Sequence, residues 1–310
     1  MKKKVVGLGE VLWDLLPEET CLGGAPANFA YVTTLLGDHG IVASRVGEDS
    51  RGSDAQRRLK ELGLDVDYVQ CDKQYPTGTV NVEVDGRGQA RYEIARPVAW
   101  DFLEWTQAWQ RLAAEADAIC FGSLAQRSED SRATIRHFLR AAAPDAVRIF
   151  DVNLRQAYYS QEVLSESMKL ADVVKLNNEE LPRIMSLGDF PGWKSDEDEL
   201  KSARRLIDAY DLKLVCITRG GRGSLLVSAR GKEVSEHPGF RVRVADTVGS
   251  GDAFTAGLVH EYPRGASLDR MNLAAMNELA NRVGAWVASE VGAMPVPKAG
   301  KLENSLAEIG

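Results

Sequence analysis

DTVGSGDAF, Asp246 to Phe254, places a glycine turn and an aspartate directly ahead of an apolar helical pattern. Gly249, Ser250 and Gly251 are able to turn successive backbone N–H groups into one concavity. The unpaired donors and positive dipole end of the following helix favour an anion there. Asp252 stands at the rim, where an ionised carboxylate accepts the proton of an attacking alcohol while the amides hold charge on phosphoryl oxygens. Base and anion hole would share the residues from Gly249 to Asp252. The ordinary alternative is a helix cap, since aspartate is a preferred N-cap and glycines are common in the turn before it. A bare GxGD does not separate the two readings.

Outward from this string, short Val/Ile-rich runs alternate with helical patterns. VVGLGEVL, IVASRVG, AICFGSL, VRIFDVN, DVVKLN, LVCITRG and SLLVSA read as strands. Helices fit between them, for example Ser53 to Leu62 with Gly63 as its stop, and Asp130 to Ala142 ahead of Pro144. Such alternation predicts an α/β fold: a mostly parallel sheet covered by helices on both faces, with ligands at the carboxyl ends of the strands. One stretch departs from the pattern. In TGTVNVEVDGRGQARYEIA, Val80, Val82 and Val84 alternate, a DGRG turn follows, and Ala90, Tyr92 and Ile94 alternate again, which is a β-hairpin with one apolar face. That face covers a cleft or a second subunit, or the hairpin is an ordinary sheet edge. The polar window LGDFPGWKSDEDELKSARR reads as a surface loop capped into a helix rather than a metal site.

With 310 residues and no break in composition, one main domain with an appendage is expected. The net charge of −7 argues against a nucleic-acid surface, and no apolar run approaches a membrane span. MKKKVVGLGE lacks the long apolar stretch and cleavage site of a signal peptide, so a cytoplasmic location is expected. Cys21, Cys71, Cys120 and Cys216 are widely separated, which indicates neither a zinc knuckle nor a dithiol centre. His39, His137, His237 and His260 lie outside the informative motifs, so any general base is a carboxylate.

Five further strings carry candidate chemistry. GEVLWDLLP places Asp14 just past the first strand, and LGGAPANFA follows, with Gly23 and Gly24 in a turn, Pro26 in the first helical turn and Asn28 near the helix start. An Asp and an Asn converging on bare glycine backbone suit sugar hydroxyls; separately, each is an ordinary loop or helix-start polar residue. In FDVNLR, Asp151, Asn153 and Arg155 share one side if the chain stays extended, and the arginine offers a fork for phosphate or carboxylate; a solvated strand end is the alternative. KLNNEEL sets Asn177 and Glu180 on one helix face, suited to the hydration shell of Mg²⁺ beside phosphates or to a capping box, and the two readings are compatible. ITRGGRG ends a strand in Thr218, Gly220, Gly221 and Gly223, glycines that a β-turn alone would explain.

In this order the strings resemble the ribokinase-like (PfkB-type) sugar kinases from Val5 to Pro297, with bacterial fructokinases as the nearest kind. DTVGSGDAF matches that family's C-terminal signature. LGGAPANFA matches its GGxxxN sugar motif, and GEDSRG with LKELGLD at residues 47–65 is similar as well. The resemblance implies a three-layer Rossmann-like domain over residues 1–310, with lid strands at about 11–22 and 77–97 that close over the sugar and make a homodimer. It implies ATP and Mg²⁺ as cofactors, Asp252 as base, and Gly249, Ser250 and Gly251 as anion hole. Asp14, Gly23, Gly24, Asn28, Arg96, Asn153 and Arg155 would meet the sugar, and Asn177, Glu180, Thr218, Gly220 and Gly223 the nucleotide. Glu180 would reach Mg²⁺ through water and phosphates, and Asn281 would lie close to the adenine. Asp246, Val248 and Gly292 of the EVGAMP loop would form a monovalent cation site. Val296 replaces a polar ligand seen in some relatives, so activation by K⁺ stays open.

FDVNLR resembles the DxNxR element of both fructokinases and 2-keto-3-deoxygluconate kinases. Ala25 stands where many ribokinases have lysine, which moves ribose behind a ketohexose. YEIARPVAWD resembles lid segments of bacterial fructokinases, which puts D-fructose first. The keto acid is second, because Arg96 or Arg155 could meet its carboxylate. A catalytically silent sugar or nucleotide sensor on the same fold is the rival of a different class; an intact GSGD weighs against it, since a pure binder needs no base.

Overall fold

The computed structural model describes residues 2–16, 19–84, 90–188, 190–229, 233–263 and 271–310. In chain order the strands are β1 (Lys4–Leu8), β2 (Leu12–Leu15), β3 (Thr20–Gly23), β4 (His39–Gly47), β5 (Val69–Asp72), β6 (Gly78–Val84) and β7 (Ala90–Ile94). They continue as β8 (Ala118–Gly122), β9 (Val147–Asp151), β10 (Val173–Asn177), β11 (Leu214–Thr218), β12 (Ser224–Ser228) and β13 (Val234–His237). The helices are α1 (Ala25–Leu35), α2 (Ser50–Glu61), α3 (Gln107–Glu115), α4 (Glu129–Ala141), α5 (Gln161–Leu170) and α6 (Glu180–Leu187). α7 (Glu199–Tyr210), α8 (Ser250–Glu261), α9 (Leu273–Ser289) and α10 (Leu302–Leu306) complete the set.

The large sheet runs β13, β12, β11, β10, β9, β8, β1, β4, β5, parallel throughout except where β12 and β13 turn antiparallel at one edge. Its strands are continuous apolar runs because both faces are covered. On one face, Trp109 of α3, Phe138 of α4, Met168 of α5 and Leu206 of α7 pack against Phe121 and Phe150. On the other, Phe29 of α1, Leu59 of α2, Leu258 of α8 and Trp286 of α9 pack against Val5, Ile149 and Val173. This is the three-layer α/β architecture expected. Each fully buried side chain of this kind contributes roughly 1.5–3 kcal/mol.

Local signals place the helix ends to within a few residues. Asp49 caps α2 by accepting from the Gly52 N–H at 2.7 Å, so the helix starts three residues ahead of the expected Ser53. Asp198 caps α7 through the Lys201 N–H at 2.8 Å, which makes the acidic DEDEL run a helix start.

VVGLGEVL does not form one strand. Its first half is β1 in the large sheet, Gly9 to Val11 connect, and its last residue, Leu12, opens β2 of a small sheet ordered β3, β2, β6, β7. There β2 runs parallel to β6, and β6 pairs antiparallel with β7 with Val80 opposite Ile94. Both of these side chains are buried with Leu12 and Trp100, so the base of the hairpin is anchored in the core. The DGRG turn and the side chains of residues 82–92 lie outside the described residues.

Candidate active site

β9, β10 and β11 end side by side, and the amino end of α8 sits over their carboxyl ends. Asp151 and Lys175 are register partners on β9 and β10, as Asn177 and Thr218 are on β10 and β11. Gly249 caps α8 in the left-handed region at φ 77°, and a Cβ there would lie 2.6 Å from that of Ala293. The helix begins at Ser250. Ser250, Gly251 and Asp252 are therefore its first turn, where a three-residue glycine turn was expected. The Ser250 N–H turns back to the Thr247 carbonyl at 3.3 Å, so the cup rests chiefly on the amides of Gly251 and Asp252. Gly251 is needed for space rather than for backbone freedom, because a Cβ would stand 2.9 Å from the Lys175 Nζ.

Asp252 accepts a hydrogen bond from the Asn28 Nδ2 at 2.8 Å. Burial pushes its carboxyl up to about 6, with Asp151 adding to the rise, while the Asn28 bond, Lys175 and Arg155 oppose it. Lys175 is buried and straddles Asp151 at 3.0 and 3.1 Å; Thr255 of α8 donates to the same carboxylate at 3.0 Å. Burial alone would lower the Lys175 ammonium, yet Asp151, Glu180 and Asp252 hold it above its ordinary value. A fixed cation thus lies beneath the anion cup.

The sequence reading missed Glu10, which follows β1 and is 3% exposed. Burial raises its carboxyl to about 7; the charge of Asp252 raises it further, and its own N–H, Arg155 and the Ala25 N–H oppose the rise. Its Oε2 has no hydrogen-bond partner among the described residues. The available signal was an acidic residue at a strand's carboxyl end, two residues past Leu8.

On the expected sugar side, Asp14 lies within β2, not merely past the first strand, and its Oδ2 is 2.7 Å from where a Gly23 Cβ would be. Gly24 caps α1 at φ 110°, and a Cβ there would meet the Glu10 carbonyl at 2.4 Å. The charge of Arg155 lowers the carboxyls of Glu10, Asp14 and Asp252 alike, against the burial that raises them. The extended reading of FDVNLR fails after Asp151: the strand ends there and Asn153 takes φ 42°. Asp151 turns into the buried ion pair and Arg155 is exposed. Arg96 stands over the Tyr158 ring at 5.6 Å, beside Arg127 at 4.9 Å.

On the expected nucleotide side, Asn177 and Glu180 form a reciprocal capping box. The Asn177 Oδ1 accepts from the Glu180 N–H at 2.8 Å, and the Glu180 Oε2 accepts from the Asn177 N–H at 2.8 Å. The Glu180 Oε1 takes the Leu154 N–H at 2.8 Å, so this buried carboxylate has backbone donors on both oxygens and fits a water-mediated role toward a cation better than direct ligation. Gly220 is exposed in a short turn after Thr218, and Gly223 is wedged against the His237 carbonyl. Asn281 departs from expectation. Its Nδ2 is spent on Ser224 and Asn277 inside the α9 to β12 interface, which leaves no amide donor for adenine. Asp246 gathers the other predicted cation residues, accepting from the Val248 N–H at 3.0 Å and the Gly292 N–H at 3.2 Å. Among the described residues there is no group of three or more His, Cys, Asp or Glu placed to hold a metal.

A helix amino end carrying a desolvated carboxylate thus lies over a buried lysine at the carboxyl edge of a parallel sheet, an arrangement with the donors for an anion and an acceptor for a proton side by side. The family model described as pfkB family carbohydrate kinase matches residues 19–299. The chain belongs to the pfkB family of carbohydrate kinases. It is 33% identical to a fructokinase of Escherichia coli, covering 95% of this chain and 96% of that one, and 32% identical to a fructokinase of Klebsiella pneumoniae over 99% and 100%. Among solved structures, an uncharacterized sugar kinase from Pyrococcus horikoshii in complex with ATP superposes with a TM-score of 0.79 at 26% identity, over 98% of this chain and 99% of that one. Fructokinase from Vibrio cholerae O395 in its fructose, ADP and calcium ion bound form gives 0.79 at 25% identity, over 100% and 99%. This kinase is accordingly a sugar phosphotransferase.

Proposed function

We propose that this kinase transfers the γ-phosphoryl group of ATP to a primary hydroxyl of a ketohexose, with D-fructose as the preferred acceptor. The observation that carries the reading is Asp252: a carboxylate in the first turn of α8, held by Asn28 and sharing its turn with the anion-binding amides. The acceptor oxygen bonds to the γ-phosphorus as the bond to the ADP oxygen breaks, and the hydroxyl proton passes to Asp252. Gly251 and Asp252 amides, with Lys175 behind them, hold the charge on the transferring oxygens. Magnesium, arriving with the nucleotide, would neutralise phosphate charge, with Glu180 assigned to its water shell.

Fructose comes first because the full-length curated relatives at 32–33% identity are fructokinases and a relative binds fructose with ADP. The same proposal treats residues 1–310 as one domain, the small sheet as a lid and homodimer surface, Asp246, Val248 and Gly292 as a monovalent cation site, and the cytoplasm as the working compartment. No described helix is long and apolar enough to cross a membrane.

The test is a steady-state comparison of D-fructose, 2-keto-3-deoxygluconate and ribose, with Arg96→Ala and Arg155→Ala beside the wild type. Fructose is expected to show the highest kcat/KM and ribose the lowest. A higher value for the keto acid, selectively abolished by either arginine variant, would replace fructose with the sugar acid and leave the phosphoryl-transfer chemistry standing.

A further inference from the structure

We infer that Asn28 is a positioning residue for the base: its amide fixes one oxygen of Asp252 so that the other is left to take the acceptor's proton. This deepens the kinase reading and rests on it. Asn28 is 4% exposed, in the first turns of α1, and its bond to Asp252 joins residues 224 positions apart across the packed α1 and α8 helices. A carboxylate only accepts, so the amide must present Nδ2 to it, and the hydrogen bond itself fixes the amide's orientation. The Asn28 Oδ1 has no hydrogen-bond partner among the described residues, so the bond to Asp252 is the one hydrogen bond this side chain makes among them.

The platform is firm. The N–H groups of Ala27 and Asn28 both return to the Gly24 carbonyl at 3.0 Å, and α1 starts without a side-chain cap of its own, Glu10 approaching its Ala25 N–H from the preceding loop. The charges facing Asp252 come from every neighbouring segment: Glu10 after β1, Asp151 on β9, Arg155 in the loop beyond it, and Lys175 on β10. Two are acids, of which burial keeps Glu10 protonated up to about 7, and two are cations. With those opposed, a neutral donor at 2.8 Å has weight out of proportion to its size, and it favours the ionised, proton-accepting form.

The test follows the Asp252 carboxyl by ¹³C NMR titration in protein without sugar or ATP, its signal assigned by loss in Asp252→Asn. Asn28→Ala removes the donor and should move the midpoint up by about one pH unit; Asn28→Asp, which preserves shape and packing, should move it further. In the kinase assay, the Asn28→Ala deficit in kcat should then be about fivefold larger at pH 6 than at pH 8.5, where the carboxylate is ionised regardless. A midpoint unchanged to within about 0.2 unit in both variants, or a deficit confined to sugar KM and equal at both pH values, would overturn the inference and leave Asn28 a sugar contact. The titration stays readable whatever the sugar screen returns, so the two readings fail separately.

Discussion

The two sides of the site are built differently. Around Asp252 the polar groups are buried and cross-linked: Glu10, Asn28, Asp151 and Lys175 are each under a tenth exposed and sit on four separate segments. In the turn after β11, Gly220 and Gly221 lie in the open. Proton transfer depends on a carboxylate whose basicity is set by burial and near charges, and that requires many fixed neighbours. Phosphate and a flat base are held by backbone donors and apolar surface, which a short loop supplies with few side-chain demands. Substitutions should therefore be costly around Asp252 and mild in the exposed Gly220–Gly221 turn.

The largest effect is expected at Asp252→Asn, which keeps the shape but cannot take a proton. Turnover should fall by about 10² to 10⁴ with the melting temperature little changed. Wild-type turnover in a folded variant would reduce Asp252 to a structural acceptor for Asn28.

Glu10→Gln probes the same side through stability. The folded-state pKa of Glu10, about 7, lies above its ordinary 4.5, so between those values the folded chain keeps a proton that the unfolded chain has lost. Stability is thus lost as pH rises through that window, by about 3 kcal/mol in all. The Gln variant escapes this loss, and its Tm relative to wild type should rise by about 5 °C between pH 5 and pH 8. A difference in Tm that is the same at both pH values would mean that Glu10 does not hold a proton in the folded state.

Gly221→Ala should do least. A Cβ there meets nothing within 4 Å and the residue is exposed, so KM for ATP should change by less than about twofold. A tenfold rise would show a close phosphate approach to that turn and erase the contrast between the two sides.

What was legible in the chain was local. Apolar runs marked the strands, the DEDE run announced a helix start and the glycines at 24 and 249 announced turns, because each of these depends on backbone conformation and neighbours within a few residues; Gly23, read as part of the same turn, instead ends β3 opposite Leu12. GSGD before an apolar helix was legible as a glycine turn opening a helix for the same reason, although where in it the helix would begin was not. The burial of Asn281 was not legible, because an exposed and a buried asparagine look alike on a helix, and its partner Ser224 is 57 residues away. Asn153 misled because nothing local showed that the chain would leave the extended region immediately after β9.

By itself, then, the sequence determined the alternation of strands and helices, the order of the motifs and the residue types available for chemistry. The tertiary structure alone decided which of them meet. The order β9, β8, β1, β4 in the sheet carries α1 onto α8 and sets Asn28 against Asp252, and the pairing of β9 with β10 slides Lys175 under Gly251 beside Asp151. The physical reason is that conformation along the chain is governed by short-range sterics and hydrogen bonds. Burial, which raises Glu10 and Asp252, and the long-range contacts that oppose it exist only once distant segments have packed and excluded water.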